Sequence, residues 1–173
     1  KILFDDAIEM GLFFESPDIN VGEFRFNPIN PNSIRYGLGA IKGTGQSAID
    51  AICEARSTGG PFTSLFDFCA RVDRNRINKR AVEALIKAVA FDSICPNRHA
   101  LFSSVTLAFD YASSQETHAL QSGLFDSADA HGSSMHEPSM AIKSDWGPRE
   151  KLTYEKAALG FHLSGHLFDE VRE

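Results

Sequence analysis

Apolar residues recur at helical spacing through the middle of the chain, where polar or glycine-rich breaks separate successive segments. Three segments, 47–56, 62–72 and 79–91, each place their apolar residues on one side of a helix. A further amphipathic segment follows at 99–112. The pattern predicts four or five short helices over residues 34–98 and another one after them.

The two ends of the chain follow other patterns. Residues 1–33 begin with a short amphipathic helix that must end before Pro17, and the stretch VGEFRFNPI at 21–29 predicts a strand. Residues 113–148 are rich in Ser, His, Gly, Asp and Met, which predicts a flexible linker. Residues 149–173 return to a helix with a glycine stop. We therefore predict a mainly α fold with a small β element near the N-terminus.

Composition limits the class of protein. With 43% apolar residues and 14 Phe, the chain can bury one core, organised as one or two small domains. It shows neither a secretory leader nor an apolar run of about 18 residues, so we expect a cytoplasmic protein without a membrane partner. The spacing of Cys53, Cys69 and Cys95 fits neither a zinc site nor a disulfide framework. We expect three buried thiols, no metal and no cofactor.

Charge is unevenly distributed along the chain. The net charge is −6, yet residues 34–98 hold ten basic and six acidic residues, a balance of +4, and the remainder carries −10. The densest basic cluster is RVDRNRINKR at 71–80. An anionic partner would therefore contact the middle of the chain.

The stretch YGLGAIKGTGQSA, residues 36–48, holds four glycines: Gly37, Gly39, Gly43 and Gly45. A phosphate-binding P-loop requires Lys and then Ser or Thr directly after the last glycine, and the order found here excludes it. A dinucleotide-binding loop remains as an alternative, although the helices that follow lack the pattern of a parallel strand. The chain would then be a nucleotide-cofactor-binding enzyme domain that uses the Gly37–Gly45 loop.

The interpretation that fits the order best is a helix-hairpin-helix. A first helix at 35–41 and a second at 46–56 would be joined by the turn Lys42–Gly45. We expect Gly43 and Gly45 to have positive φ, and the amides of Gly43, Thr44 and Gly45 to point outward at the positive end of the second helix. With Lys42 beside them, these amides would bind a nucleic-acid phosphate. A hairpin that only packs, within a helical scaffold that binds nothing, is the other possibility.

A second hairpin candidate follows, with helical patterns before and after the turn DRNRI at 73–77. This turn lacks glycines, and its basic residues are Arg74, Arg76, Lys79 and Arg80. Paired hairpins of this kind can hold both strands of a duplex. Without the glycines, the grip of the second turn on phosphate is expected to be weaker.

Several motifs in one order resemble the replicative DNA polymerase III alpha-subunit family of bacteria. They are IRYGLGAIKGTGQSAIDAICEAR at 34–56, GGPFTSLFDFCARVD at 59–73 and NKRAVEALIKAVAFDSI at 78–94. In addition, LFFESPDIN at 12–20 is similar to the end of the fingers region, and EKAALGFHLSGHLFDEV at 155–171 to the lead-in to an OB domain. The chain then looks like a piece of a longer protein.

The resemblance implies a division of the chain. Residues 1–33 would end the fingers, 34–112 would form a tandem helix-hairpin-helix module on primer–template duplex, 113–148 would be a linker, and 149–173 would lead into the OB domain. The implied DNA-binding residues are Lys42, Gly43, Thr44, Gly45, Arg74, Arg76, Lys79 and Arg80. Catalytic carboxylates of the family lie in a palm domain outside this region, so the segment itself is expected to be non-catalytic.

The resemblance also assigns a role to the linker. In this family a peptide that binds the sliding clamp, the beta subunit, follows the hairpins, and its pattern is matched by Gln121, Ser122, Gly123, Leu124 and Phe125. Two adjacent apolar residues can fill a pocket on the partner while Gln orients the peptide. A single such site binds weakly, at about micromolar affinity. The partners implied are duplex DNA, the clamp and the other polymerase III holoenzyme subunits.

Overall fold

The computed structural model describes residues 2–124 and 136–163, with side chains at 6–121 and 136–163. Helix α1 (Ile2–Glu9) precedes strands β1 (Phe13–Glu15), β2 (Asn27–Asn30) and β3 (Ser33–Arg35), and a single 3-10 turn follows at Leu38–Ala40. The other helices are α2 (Gln46–Gly59), α3 (Leu65–Arg71), α4 (Lys79–Lys87), α5 (Arg98–Leu124) and α6 (Pro148–Leu159). The predicted fold class, mainly α with a small β element near the N-terminus, is confirmed.

Local sequence explains where the helices begin. The Ser64 side chain accepts a hydrogen bond from the Asp67 amide before α3, and the Asn78 side chain accepts one from the Ala81 amide, at 2.8 Å, before α4. These caps satisfy amides that a first helical turn leaves without a partner. Helix α2 differs, because its N-cap is Gly45 and no side chain caps it.

The sheet has the order β1–β3–β2, with β1 parallel and β2 antiparallel to β3. The strand predicted at 21–29 begins only at Asn27. Phe24 is not part of this strand, because its carbonyl accepts a hydrogen bond from the Gly39 amide, at 3.0 Å, instead of pairing with a neighbouring strand. The small sheet is thus followed directly by the glycine-rich stretch.

One apolar core joins the helices. The interior faces of α3 and α4 pack against α5, and the buried residues of α2 belong to the same cluster. Within it, Phe68 packs edge-on against Phe62 and Phe91 with ring centroids 4.9 Å apart. The segments predicted to be amphipathic supply the buried residues, among them Ile49, Ile52, Leu65, Phe66, Val82, Leu85, Ile86, Leu101 and Val105. This core holds the two turns of the hairpins in place.

Helix α5 is longer than its apolar pattern predicts. The prediction ended the helix at residue 112 and began a linker at 113, but the helix continues to Leu124. The far end of the predicted linker is also packed, because Trp146 is only 8% exposed and its ring lies against Phe102 and Tyr154. The prediction of a flexible linker was therefore wrong at both ends. Its first part continues helix α5, and its last part is packed through Trp146, a single residue that has little weight in the average composition of the segment.

A buried ion-pair network holds α6 to the start of α5. The Arg98 guanidinium donates hydrogen bonds to Glu155, at 2.8 Å, and to Asp92, at 2.9 Å. Glu155 is fully buried and also accepts a hydrogen bond from the Leu163 amide. Burial raises the pKa of Asp92, against the opposing effect of Arg98. The helix ends at Gly160, whose left-handed conformation is the predicted glycine stop.

Candidate nucleic-acid interface

The first predicted hairpin has a shorter first helix than expected. Of residues 35–41, only Leu38–Ala40 form a turn of 3-10 helix. The reason is a competing set of hydrogen bonds, since the Leu38 amide donates to the Glu23 carbonyl at 2.8 Å and the Gly39 amide to Phe24. The turn that follows leads directly into α2, so the hairpin itself is present.

The four glycines divide into two pairs with different roles. A Cβ on Gly37 would lie 2.6 Å from the Arg25 backbone, and a Cβ on Gly39 would lie 2.4 Å from the Phe24 ring. This pair is needed for close packing within the protein. Gly43 has a φ of +93°, which favours glycine, whereas Gly45 has an ordinary φ of −101°. Positive φ is therefore confirmed for Gly43 and wrong for Gly45.

The amides of the turn are only partly available to a ligand. The Thr44 amide donates to the Ile41 carbonyl at 3.3 Å, and the Thr44 hydroxyl donates to the same carbonyl at 2.8 Å. The expectation of an outward Thr44 amide was wrong, because Thr44 closes the turn. Within the described ranges no partner is found for the amides of Gly43, Gly45, Gln46 and Ser47, all of which belong to exposed residues.

The backbone of Lys42 is held within the protein, whereas its side chain faces solvent. Its amide donates to the Ala158 carbonyl at 2.9 Å, which anchors the turn on the end of α6. Its side chain is exposed, and no partner for it is found among the described residues. The backbone of the turn is therefore anchored on α6, while the exposed Lys42 side chain can contact a ligand.

The basic residues of the second hairpin do not behave alike. Arg74 donates to Ser113 and Glu116 on α5, and Arg76 donates to Glu54 on α2 at 2.6 Å. The Lys79 ammonium lies 5.9 Å from the centre of the Phe109 ring. Arg80 is exposed, and the described part of the chain offers it no ion-pair partner.

The structure brings the two turns to one side of the molecule. A Cβ on Gly43 would lie 3.5 Å from the Ala84 Cβ, and Arg80 lies one helical turn before Ala84 on the same face of α4. Arg76 Nε lies 3.3 Å from the Ser47 hydroxyl in the first turn of α2. We call this surface the hairpin face: Lys42–Ser47, Arg76 and Arg80.

Two predicted residues fall outside the hairpin face, and two others were not foreseen. Arg74 and Lys79 are directed to α5, so they do not join the turn of the first hairpin. Gln46 and Ser47 contribute amides that the glycine motif did not include. The sequence could have indicated both residues, because they begin the predicted second helix and the first amides of any helix lack internal partners. Which of these residues contact DNA stays a prediction.

The predicted clamp peptide lies at the C-terminal end of α5. The backbone of Gln121, Ser122, Gly123 and Leu124 forms the last turn of the helix, and Phe125 lies outside the described residues. Gln121 is exposed, and the preceding Leu120 is 67% exposed. Up to Gln121, where description of the side chains of α5 stops, Ala112 is the last buried residue, so the stretch 113–121 lies outside the core.

Comparison with known proteins agrees with this architecture. Residues 11–101, more than half of the chain, match the family model described as the helix-hairpin-helix motif. The chain belongs to the helix-hairpin-helix family. Both helical hairpins, from Leu38 through α4, lie inside the matched range.

The whole chain is also similar to DNA polymerase III alpha subunits. It is 46% identical over 178 aligned residues to that of Neisseria meningitidis serogroup B, with 100% of the chain covered. It is 42% identical to that of Vibrio cholerae and 40% identical to that of Escherichia coli K12, each with 97% covered. In all three the chain spans about 15% of the relative's length. The resemblance that the motifs indicated is confirmed.

No helix in the described ranges is long and apolar enough to cross a membrane. Within the same ranges, no group of three or more His, Cys, Asp or Glu side chains is arranged to hold a metal ion.

Proposed function

We propose that this helix-hairpin-helix chain binds the sugar-phosphate backbone of double-stranded DNA through the hairpin face. The observation that carries the proposal is the exposed turn at the start of α2, where the amides of Gly43 and Gly45 have no partner in the described part of the chain. The positive end of the α2 dipole lies at the same place. Lys42 and Arg80 add two exposed cations there, for which the described residues provide no acidic partner.

The chemistry of the hairpin face favours phosphate over bases. Amides and cations recognise phosphate oxygens whatever the sequence, whereas reading bases requires side chains that match the edges of base pairs. The glycine turn presents backbone rather than side chains. A duplex is the ligand that offers phosphates to two turns at once, and the relatives are named as DNA polymerase III alpha subunits.

The geometry disfavours the two alternatives. A nucleotide-cofactor loop would need its glycines free, but Gly37 and Gly39 are packed against residues 24 and 25. A scaffold that only packs would cover the start of α2 with a neighbouring element, whereas Gly43, Gly45, Gln46 and Ser47 are all exposed. The exposed, uncapped start of α2 beside Lys42 and Arg80 fits an anionic ligand better than either alternative.

Fluorescence anisotropy of a labelled primed duplex, titrated with the chain at two salt concentrations, tests the proposal. We expect affinity to fall steeply with salt, and Lys42→Gln and Arg80→Gln each to reduce the log–log slope by about 0.9. The matched control is Lys143→Gln, an exposed lysine outside both hairpins. Binding that does not depend on salt, or an equal effect of the control, would contradict the proposal.

We also propose that residues 121–125 bind a sliding clamp. Support comes from the position of the motif at the end of α5, where the helix stands clear of the core and Leu120 is 67% exposed. The double change Leu124→Ala and Phe125→Ala should weaken clamp binding at least about tenfold and spare duplex binding. Ser122→Ala is the matched control. Unchanged clamp affinity in the double variant would refute this assignment.

Within a longer protein, these two activities would serve DNA replication. We propose that the segment holds the duplex and the clamp for a cytoplasmic DNA-directed DNA polymerase whose catalytic carboxylates lie elsewhere. The other holoenzyme subunits would be its further partners, and the segment itself would use no cofactor. Tethering to a clamp that encircles DNA raises the effective concentration of the polymerase at the primer end, so a weak peptide suffices.

A further inference from the structure

Arg76 belongs to the turn of the second hairpin, but its side chain is bound to the first. Its Nη1 donates to Glu54 Oε2 at 2.6 Å, and its Nε donates to the Ser47 hydroxyl at 3.3 Å. Ser47 and Glu54 are seven residues apart, which places them on one face of α2. The guanidinium therefore lies along α2 and links the two hairpins.

We propose that Arg76 is a positioning residue that sets the distance and orientation between the two hairpin turns, and is not itself a phosphate ligand. This inference rests on the proposed duplex binding. Two donors of one rigid plane contact two acceptors on one helix, so both the separation and the rotation of the turn relative to α2 are restrained. The pair that would touch phosphate directly, the Lys42 turn and Arg80, is thereby held at one spacing.

The surroundings of Arg76 separate the two roles. A phosphate ligand should leave its guanidinium exposed and unpaired, as Arg80 does, whereas the Arg76 side chain is 28% exposed and paired. Arg74 shows the same behaviour toward a different neighbour, since it pairs with Glu116 on α5. Arg74 and Arg76, at the centre of the second turn, thus connect helices. Arg80, in the first turn of α4, stays available to a ligand.

Reversing the charges of the Arg76–Glu54 pair distinguishes a positioning role of Arg76 from direct contact with phosphate. Duplex affinity and its salt slope are measured for Arg76→Glu, for Glu54→Arg, and for the chain that carries both. We expect Arg76→Glu to weaken binding about tenfold, and the double reversal to return affinity to within about threefold of wild type with an unchanged slope. In the double variant the Ser47 hydroxyl can donate to the new carboxylate, so both contacts are kept.

A second variant gives an independent readout. Arg76→Lys keeps the charge but replaces a planar group having two directed donors by a single ammonium. A positioning residue loses affinity, by about threefold or more, whereas a residue that contributes only its charge to a phosphate contact changes little. The matched control is the pair Arg35–Glu15 on the sheet, whose Nη2–Oε2 distance is 3.0 Å and whose reversal should leave binding unchanged.

The outcomes separate this inference from the function on which it rests. A wild-type chain that fails to bind duplex overturns both. If wild type binds, and the double reversal stays weak with its slope reduced by about one, Arg76 contacts phosphate and only the positioning role is overturned. Restored affinity together with loss in Arg76→Lys supports the inference. Thermal unfolding of every variant confirms that the compared chains are folded.

Discussion

Replacing Gly45 by Asp separates a binding role for the glycine turn from a structural one. Gly45 is the N-cap of α2, with φ −101° and ψ 160°, a conformation open to any residue. A Cβ added there meets nothing within 4 Å. Asp is a preferred N-cap residue, because its carboxylate accepts hydrogen bonds from the second or third amide of the helix. The substitution therefore suits the fold while placing a negative charge where phosphate would bind.

The substitution should stabilise the fold and weaken duplex binding. Asp in place of Gly at an N-cap should raise the free energy of unfolding by a few tenths of a kcal/mol, about 0.3. The same carboxylate would lie about 4 Å from a bound phosphate, where repulsion costs about 1 to 4 kcal/mol between the dielectric limits of water and a protein surface. Taking about 2 kcal/mol, we expect duplex affinity to fall about thirtyfold.

The assay pairs duplex anisotropy with thermal unfolding, and Gly45→Asn is the matched control. Asn caps the helix equally well but carries no charge, so it should retain most of the affinity. If Asp and Asn bind duplex equally well, phosphate does not approach this turn, and the reasoning fails. A large loss of stability in the Asp variant would show instead that the turn is not as open as its geometry indicates.

Three further predictions concern the fold. Gly39→Ala should lower the free energy of unfolding by about 1–3 kcal/mol, because its Cβ would overlap the Phe24 ring; Gly45→Ala, measured in the same denaturant titration, should cost less. Arg98→Met should cost about 3–5 kcal/mol in thermal unfolding, because Glu155 would be left buried without its cation; a loss below about 1 kcal/mol would contradict this. Burial raises the pKa of the Cys69 thiol from 9.0 to about 12. The native state thus holds the Cys69 proton that the unfolded chain releases, so stability should decline as pH rises from 9.0 toward about 12, and less so in Cys69→Ala.

Features that depend on neighbours along the chain could be predicted from sequence. The apolar faces of α2, α3 and α4, the turn at Lys42–Gly45 and the stop at Gly160 all follow from spacing and residue type within one or two turns. The tandem hairpin module followed from them, together with the order of the motifs. Part of the positive balance of residues 34–98 also lies on the hairpin face, where Lys42 and Arg80 are exposed.

Features that depend on distant partners were decided only by tertiary structure. Gly37 and Gly39 must be glycines because residues 24 and 25 pack against them, and the spacing of residues along the chain could not show this contact. Nor could it show that Arg76 pairs with α2, which leaves Arg80 as the available cation of the second hairpin. A side chain's residue type sets what it can bind, but the partner it finds depends on which helix lies beside it. That neighbour is determined by the packing of the whole core, and in this protein the packing separates cations that link helices from the exposed cations of the hairpin face.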